Sequence, residues 1–312
     1  EVNDQIRDMG IRFLSGPNKV ADIDDLGADD IVIIPAFGTE VATLEKLKAK
    51  GCQFVDTTCG DVMSVWKRVR NYAKEEVTSI IHGKAYHEET KATSSQATSK
   101  NGHYLIVLTL EETDYVCNYI ENGGDKDEFL KKFEGAYSEG FDPDQHLKAV
   151  GVANQTTMMR NETEEVQRRI KAAIERKFGA AKVDSHFRFF DTICGATQER
   201  QDALDVLLQK PMDLLLVIGG YNSSNTAHLA EMGEGVLPTY FIKNATEMAD
   251  ASLIRHWNQH TNQVEETRDW LPDGTLNIGV TAGASCPNNL IEDVICRLLE
   301  LRGSSADEFL SN

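Results

Sequence analysis

Two cysteines occupy the same place in two similar segments of the chain. Residues 54–60 read Phe-Val-Asp-Thr-Thr-Cys-Gly and residues 189–195 read Phe-Phe-Asp-Thr-Ile-Cys-Gly, so Cys59 and Cys194 match. Each segment has the pattern of a short apolar strand that ends in a Cys-Gly turn and leads into a helix. Two thiols that recur at one place in a repeat are expected to point to the same centre.

Recurring thiols of this kind favour an iron–sulfur cluster, because cysteine thiolates are its usual ligands. A structural zinc site needs four nitrogen or sulfur ligands, and the chain contains no Cys-x-x-Cys pair. A disulfide is unfavourable in a reducing compartment. Three repeats would supply three thiolates and leave one iron open to a substrate. The main alternative is that both cysteines are incidental buried thiols, as free cysteines often are.

Other polar residues follow an apolar run that has the pattern of a buried strand. His82 begins the loop after this run, and His87, Glu88 and Glu89 come shortly after it. One interpretation is a solvated helix start, since acidic residues favour the first helical turn. The other is a histidine that contacts a ligand and a carboxylic acid that delivers a proton.

A second polar loop, Asn222–Asn225, follows a glycine pair in the other repeat. Serine and asparagine cap helices, but four successive polar residues are more than a cap requires, and they suit a phosphate at a helix N-terminus. Thr156, Thr157 and Ser285 occupy corresponding loops, where each alone is most often a turn hydroxyl. Six further histidines lack ligand spacing and are interpreted as structural or surface residues: His103, His146, His186, His228, His256 and His260.

The elements that must position these residues alternate between strands and helices. Such alternation predicts parallel α/β units, in which loops at the carboxyl ends of the strands line the ligand site. Predicted strands cover 30–34, 77–81, 150–152, 214–218 and 278–280, and predicted helices cover 40–50, 62–74, 196–209 and 287–302. Three such units facing one another would enclose a single central pocket.

The repeat divides the chain into three pseudo-repeated α/β domains. Residues 1–58 are predicted to be the remainder of a first domain that begins before residue 1. Residues 59–190 form the second domain, with a surface insertion at about 121–147 that breaks the repeat. Residues 191–286 form the third domain, and 287–312 form a C-terminal helix and tail, with the helix docking across domains.

Composition excludes two classes of partner. Apolar residues make up 41% and charged residues 26% of the chain, which is typical of a soluble globular protein. With a net charge of −18 the chain is not expected to bind nucleic acid. No apolar run approaches the roughly 20 residues that span a bilayer, so no membrane partner is expected. We expect a cytoplasmic protein, or a plastid stromal one if a preceding segment holds a transit peptide.

Six separated motifs resemble one known family. They are DTTC ending at Cys59, HEET at 87–90, NQTT at 154–157, DTICxATxxRQ at 191–201, GGxNSSN at 219–225 and VTxGASxP at 280–287. In this order they resemble the LytB-type family of 4-hydroxy-3-methylbut-2-enyl diphosphate reductases, in its longer branch. The resemblance covers essentially the whole chain.

The resemblance implies an α/β fold with three domains in a trefoil around a central 4Fe–4S cluster, the first domain being incomplete here. Three cysteines hold the cluster in this family, and Cys59 and Cys194 match the second and third. The first lies in a Gly-Phe-Cys-x-Gly-Val motif near the family's N-terminus, so the chain is expected to be N-terminally truncated. Cys286 is expected to be a tolerated small side chain rather than a substitute ligand.

The resemblance also implies roles for individual side chains. Glu89 matches the proton donor that helps the C–O bond break, and Thr156 matches the hydroxyl that relays or steadies that proton. Residues matching the diphosphate ligands are His87, Ser223, Ser224, Asn225 and Ser285, with His82 beside them.

The implied reaction is reductive dehydroxylation of the allylic alcohol diphosphate to isopentenyl and dimethylallyl diphosphates, the last step of the methylerythritol phosphate pathway. Electrons would come from a ferredoxin or a flavodoxin. Two other hypotheses stay open: a non-redox α/β protein that binds a phosphorylated metabolite without a cluster, and an inactive fragment that keeps the fold. Iron content separates the first of these from the reductase.

Overall fold

The computed structural model describes residues 2–16, 19–190 and 193–304. Two residues of the predicted Cys194 motif, Asp191 and Thr192, and the tail from residue 305 lie outside the described residues. The chain forms two compact units, which are described separately. Unit 1 comprises Glu1–Gln155 and Glu165–Thr192, and unit 2 comprises Thr156–Glu164 and Ile193–Asn312.

Helices and strands alternate along most of the chain. In order they are α1 (Val2–Asp8), β1 (Ile31–Ile34), α2 (Val41–Ala49), β2 (Gln53–Asp56), α3 (Gly60–Lys74), β3 (Thr78–His82), α4 (Glu88–Thr98), β4 (Tyr104–Val107), α5 (Leu110–Asn122), α6 (Lys126–Lys132), α7 (Pro143–His146), β5 (Val150–Asn154), α8 (Arg160–Phe178), α9 (Val183–His186), β6 (Phe187–Phe189), α10 (Gly195–Leu208), β7 (Leu214–Ile218), α11 (Ser224–Glu234), β8 (Thr239–Ile242), β9 (Met248–Asp250), β10 (Leu253–Asn258), β11 (Gln263–Arg268), β12 (Ile278–Ala282) and α12 (Asn288–Leu301). Short 3-10 turns occur at Ile23–Asp25, Ala180–Lys182 and Ala245–Glu247.

Unit 1 contains two parallel sheets. The first pairs β1 with β2, and its inward residues Val32 and Ile34 pack with Leu47 of α2. The second has the strand order β4-β3-β5-β6. Every residue of β3 and β5 is buried, as expected for central strands of a parallel sheet that is covered on both faces. The carboxyl ends of these two strands are paired, His82 opposite Asn154.

The sequence pattern predicts that residues 121–147 form a surface insertion. In the structure, part of this segment is buried in the core. Phe129, Phe133 and Phe141 are at most 4% exposed and join the hydrophobic core under the four-stranded sheet. The ring of Phe129 lies 4.7 Å from that of Tyr119 and 4.9 Å from that of Phe133, centroid to centroid. Burial of these aromatic rings binds the segment to unit 1, because each ring removes a large apolar area from water.

Unit 2 contains a parallel sheet of strand order β12-β7-β8 and an antiparallel sheet of order β11-β10-β9. Strand β7 was predicted at Leu214–Ile218 and is confirmed with those bounds, all five residues being buried. The C-terminal helix is confirmed as α12, and its buried residues Val294 and Leu298 pack with Trp270 in the core of this unit. Among the described residues, no helix combines the length and apolar character needed to cross a membrane.

Candidate functional site

The two matching cysteines have the same local structure. In unit 1, Cys59 follows β2 and is the N-cap of α3, with φ −62° and ψ 144°. In unit 2, Cys194 is the N-cap of α10, with φ −62° and ψ 129°. The backbone N–H of Cys59 donates to the carbonyl of Ala36 at 2.8 Å, and that of Cys194 donates to the carbonyl of Thr156 at 3.2 Å. The sequence repeat is therefore also a repeat of backbone geometry.

These two positions suit metal-binding thiolates better than the other cysteines do. Both lie at the start of a helix, where the positive end of the helix dipole favours an anionic group. Cys59 is exposed and Cys194 partly exposed, whereas Cys52 and Cys117 are buried. Burial raises the pKa of Cys117 to about 12.

Cys286 is a poor substitute ligand for the same physical reason. Burial is the largest cause that raises the pKa of its thiol, and the nearby charge of Arg200 only partly opposes this. Its sulfur packs against the core of unit 2. Within the described ranges, no group of three or more Cys, His, Asp or Glu side chains is placed to hold a metal ion. Each unit therefore offers one thiol at the repeated position.

The start of α4 in unit 1 carries a capping histidine and a buried acid. His87 is the N-cap, and its Nδ1 accepts the backbone N–H of Glu89 at 3.2 Å. Burial is the main cause that lowers the pKa of His87, assisted by the charge of Lys84. With Nδ1 occupied as an acceptor, the neutral ring carries its proton on Nε2 and can donate it to a ligand. A helix does start here, as the first interpretation predicts, but Glu89 in its first turn is buried rather than solvated, and His87 remains a donor.

Glu89 lies in the first turn of α4 with only 2% of its surface exposed. His82, at the end of β3, is 1% exposed, and its carbonyl accepts the backbone N–H of Gln155 at 2.8 Å. Unit 1 therefore brings His82, His87 and Glu89 to the carboxyl end of one parallel strand, as the α/β pattern predicts.

Sequence reasoning missed Gln155 as a positioning residue. Its side-chain Oε1 accepts the backbone N–H of Lys84 at 3.2 Å and the hydroxyl of Thr90 at 3.2 Å. Gly83 allows this contact, because a Cβ there would lie 2.9 Å from the Gln155 Cβ. The Asn-Gln-Thr-Thr motif contained the signal, but the role depends on partners some 70 residues away in sequence.

In unit 2 the start of α11 combines a cap with buried polar groups that a cap does not use. Ser223 is the N-cap, and its Oγ accepts the N–H of Thr226 at 3.3 Å and the hydroxyl of Thr226 at 3.0 Å. Ser224 and Asn225 are 6% and 4% exposed. Neither the oxygen nor the nitrogen of the Asn225 amide has a hydrogen-bond partner among the residues described. Such buried, unpaired groups are rare and indicate a ligand or ordered water.

The loops around α11 approach it closely. Cβ atoms added at Gly219 or Gly283 would collide with Thr226 Oγ1. Gly283 also donates its N–H to the carbonyl of Ile218 at 2.9 Å, which ties the loop after β12 to the end of β7. Ser285 follows in this loop and is exposed.

Thr156 completes the predicted residues of unit 2. It is 5% exposed, and its carbonyl accepts the Cys194 N–H described above. The predicted site residues are therefore divided between the units: Cys59, His82, His87 and Glu89 lie in unit 1, and Thr156, Cys194, Ser223, Ser224, Asn225 and Ser285 lie in unit 2.

A family model described as "LytB protein" matches residues 1–299. A 4-hydroxy-3-methylbut-2-enyl diphosphate reductase of Gloeobacter violaceus is 48% identical over 307 residues, which cover 97% of this chain and 73% of the relative. The protein of the same name from a Cyanothece strain is 45% identical over 306 residues, covering 97% and 74%.

Two solved structures have a similar fold. One is (E)-4-hydroxy-3-methyl-but-2-enyl diphosphate reductase, the terminal enzyme of the non-mevalonate pathway, with a TM-score of 0.53 and 24% identity over 95% of this chain and 83% of that chain. The other is the E-1-hydroxy-2-methyl-but-2-enyl-4-diphosphate reductase from Plasmodium falciparum, with a TM-score of 0.62 and 22% identity over 90% and 70%. At these identities the likeness concerns the fold, and it confirms the predicted α/β class.

Proposed function

The chain belongs to the LytB family, and from this membership we propose that it reduces 4-hydroxy-3-methylbut-2-enyl diphosphate, the compound in its relatives' names. One observation carries the proposal. The family match over residues 1–299 includes two equivalent helix starts, each with a buried polar side chain two residues after its N-cap. These side chains are the acid Glu89 and the amide Asn225, which are 2% and 4% exposed.

The start of α11 supports binding of the diphosphate. Backbone N–H groups at a helix N-terminus and the positive end of its dipole attract phosphate oxygens. Ser224 and the unpaired amide of Asn225 add side-chain donors at the same place. From the family resemblance, the Nε2–H of His87, the hydroxyls of Ser223 and Ser285, and His82 are also proposed to bind the diphosphate. The role of this set is to hold the substrate in one orientation.

Cys59 and Cys194 are proposed to hold a 4Fe–4S cluster. Both residues stand at helix N-caps and are at least partly exposed, which fits the thiolate donor chemistry of such a cluster. When bound, the cluster supplies electrons one at a time and a Lewis-acidic iron for an oxygen ligand. An electron donor of the ferredoxin or flavodoxin class, which passes single electrons, suits this chemistry.

Glu89 is proposed to deliver the proton that the leaving hydroxyl needs. The balanced reaction adds two electrons and two protons to the allylic alcohol, breaks its C–O bond and releases water. Isopentenyl and dimethylallyl diphosphates are the expected products. At 2% exposure, Glu89 is shielded from bulk water, so its proton goes to a bound group rather than to solvent. The hydroxyl of Thr156, itself 5% exposed, is proposed to steady that proton.

Iron content after anaerobic purification tests the proposed cluster ligands. In the full-length protein, Cys59→Ser and Cys194→Ser should each lose most of the iron and the visible absorption, because a serine hydroxyl replaces a thiolate ligand poorly. Cys296→Ser is the matched control, since Cys296 is also a partly exposed free cysteine but lies outside the repeat. Full iron content in both repeat variants would overturn the ligand assignment. A parent protein without iron that still binds diphosphate would favour the non-redox alternative.

A further inference from the structure

We infer that His228 is a further contact for the diphosphate, which it meets through Nε2 from the same face of α11 that carries Asn225. The inference rests on the proposed function, because it names an additional group in the same phosphate site. Sequence spacing places His228 among the structural histidines, but the structure gives a reason to assign it to the phosphate site instead. A histidine three residues after a ligand-binding asparagine on one helix is its neighbour on the helix surface.

The two ring nitrogens of His228 are in different situations. The residue is 5% exposed, and its Nδ1 lies 2.9 Å from a carboxylate oxygen of Glu231 on the same helix. Its Nε2 is buried and, in the part of the chain that the structure describes, has no hydrogen-bond partner. An unpaired buried nitrogen is costly, because it has given up water without gaining a partner. A ligand at this position would remove that cost.

Asn225 provides the second, independent observation. Both polar atoms of its side chain are buried and lack partners in the described residues, as does Nε2 of His228 one turn later. One helical turn thus presents three unpaired polar atoms that the protein itself does not satisfy. A single unpaired group could be served by one water, but the amide N–H of Asn225 and Nε2 of His228, adjacent at a helix N-terminus, suit two oxygens of a diphosphate. The amide oxygen of Asn225 only accepts hydrogen bonds, so water is its expected partner.

The chemistry of the ring fits an anionic ligand. A carboxylate only accepts hydrogen bonds, so Nδ1 of His228 carries a proton and donates it to Glu231. To donate to an oxyanion at Nε2 as well, the ring must carry a proton on both nitrogens, which places it between two negative groups in the proposed complex. Such charge-assisted hydrogen bonds are about twice as strong as neutral ones. The loop Ser223–Asn225 contains no cationic side chain, so His228 would supply the positive charge that it lacks.

The surroundings of His228 include one further acid. Glu162, in the first turn of α8, has its pKa raised chiefly by burial, while the charge of His228 lowers it and that of Glu231 raises it. His228 therefore lies near two carboxylates, those of Glu231 on its own helix and of Glu162, and both residues belong to unit 2.

Titration of the full-length protein with inorganic pyrophosphate by calorimetry tests the inference without requiring turnover. His228→Gln, which keeps a polar side chain but loses the charge, should weaken pyrophosphate binding by about tenfold or more. His260→Gln is the matched control, because His260 also pairs with an acid, Glu234 at 3.5 Å, but its side chain is 81% exposed. It should bind like the parent, within about twofold.

The outcomes separate the two levels of proposal. If the parent binds no pyrophosphate, the proposed function of the phosphate site is wrong. If parent and His228→Gln bind equally, the function stands and the His228 contact is wrong, so Nε2 is served by water. Should His228→Gln lose its native circular dichroism, Glu231→Gln replaces it. That variant keeps the His228 ring but removes its charged partner. It should weaken pyrophosphate binding by about threefold, which is less than the loss expected for His228→Gln. Unchanged binding in Glu231→Gln would also overturn the inference.

Discussion

At the scale of single residues, equivalent positions in the two copies of the repeat hold side chains with different chemical properties. Glu89 and Asn225 each follow an N-cap by two residues, and both are buried. An amide can bind a phosphate oxygen but has no proton to give at neutral pH, whereas a carboxylic acid can give one. With the roles proposed above, binding and proton transfer would use equivalent positions on two different helices.

Replacing the acid tests this division of roles. Glu89→Gln keeps the size and hydrogen-bonding capacity of the side chain but removes its proton, so turnover should fall by about 10²- to 10⁴-fold. Pyrophosphate binding should stay within a few-fold of the parent. Both are measured in the full-length, cluster-loaded protein with a one-electron reductant. Glu88→Gln is the control, because Glu88 lies in the same turn but is 44% exposed and paired with Lys91. Activity of Glu89→Gln close to that of the parent would show that another group is the acid.

Local motifs predict such residues well and predict residues defined by distant contacts poorly. His87 and Ser223 could be proposed from sequence because capping and ligand binding both use the residue types that stand there. Gln155 could not, because its role depends on bonds to Lys84 and Thr90, which the fold brings to it. His228 was set aside for the same reason: burial of its Nε2 is a property of packing rather than of spacing.

At the scale of elements, the position of helix α11 depends on two glycines, which allow the neighbouring loops to approach the helix closely. Gly219 and Gly283 come from the ends of β7 and β12, and both pack against Thr226 in the first turn of the helix. These two contacts fix the position of the helix start, including its N-cap Ser223, relative to the sheet. A side chain at either glycine must move the helix start, because Thr226 is itself held by Ser223.

Gly283→Ala should therefore weaken phosphate binding through displacement rather than loss of a ligand. The added Cβ collides with Thr226 Oγ1, and overpacking of this kind costs about 1–3 kcal/mol of stability. Urea unfolding would measure this loss, and pyrophosphate titration would show weaker binding in the folded variant. Gly27→Ala is the control, since a Cβ there has no atom within 4 Å. If Gly283→Ala matches the control in both measurements, the close approach does not position the site.

Elements with strong local signals were predictable, and those stabilised by distant partners were not. Strand β7 was predicted with its observed bounds because a buried parallel strand reads as an unbroken apolar run. Strand β5 extends to Asn154, two residues beyond the predicted end, since Asn154 pairs with His82 across the sheet. Strands β10 and β11 have weak sequence signals because most of their side chains are half-exposed or exposed, so neither strand is an unbroken apolar run.

At the scale of the whole molecule, two electrostatic effects oppose each other as the pH falls. The net charge of −18 means that added protons relieve self-repulsion, which favours the folded state. Burial has the opposite effect, because it lowers the pKa of His87, His103, His146 and His256 below their ordinary 6.5. A histidine that resists protonation in the fold contributes stability above its unfolded pKa, and this contribution is lost as the pH falls below that value.

The pair His103 and His146 contributes a specific part of this loss. Their rings stack with centroids 3.7 Å apart, which connects the start of β4 to the end of α7. Nδ1 of His146 accepts the backbone N–H of Asp142 at 2.8 Å, and the Asp142 carboxylate is bound to Lys126 at 2.8 Å. Protonation of His146 at Nδ1 would break the first bond and place a charge beside His103, whose own charge further lowers the pKa of His146.

We therefore predict that the free energy of unfolding, measured by urea titration, contains a component that decreases from about pH 7 to about pH 5. His103→Phe keeps a flat ring in the stack but cannot be protonated, so its stability should fall less over this range than that of the parent. His260→Phe replaces a ring whose side chain is 81% exposed, and it should keep the parental slope. Carboxylates with lowered pKa values, such as Asp142, titrate below this pH range, so they do not contribute to the difference in slope between the variant and the parent. Equal slopes for His103→Phe and the parent would mean that the stacked pair does not sense pH and that the other buried histidines carry the effect.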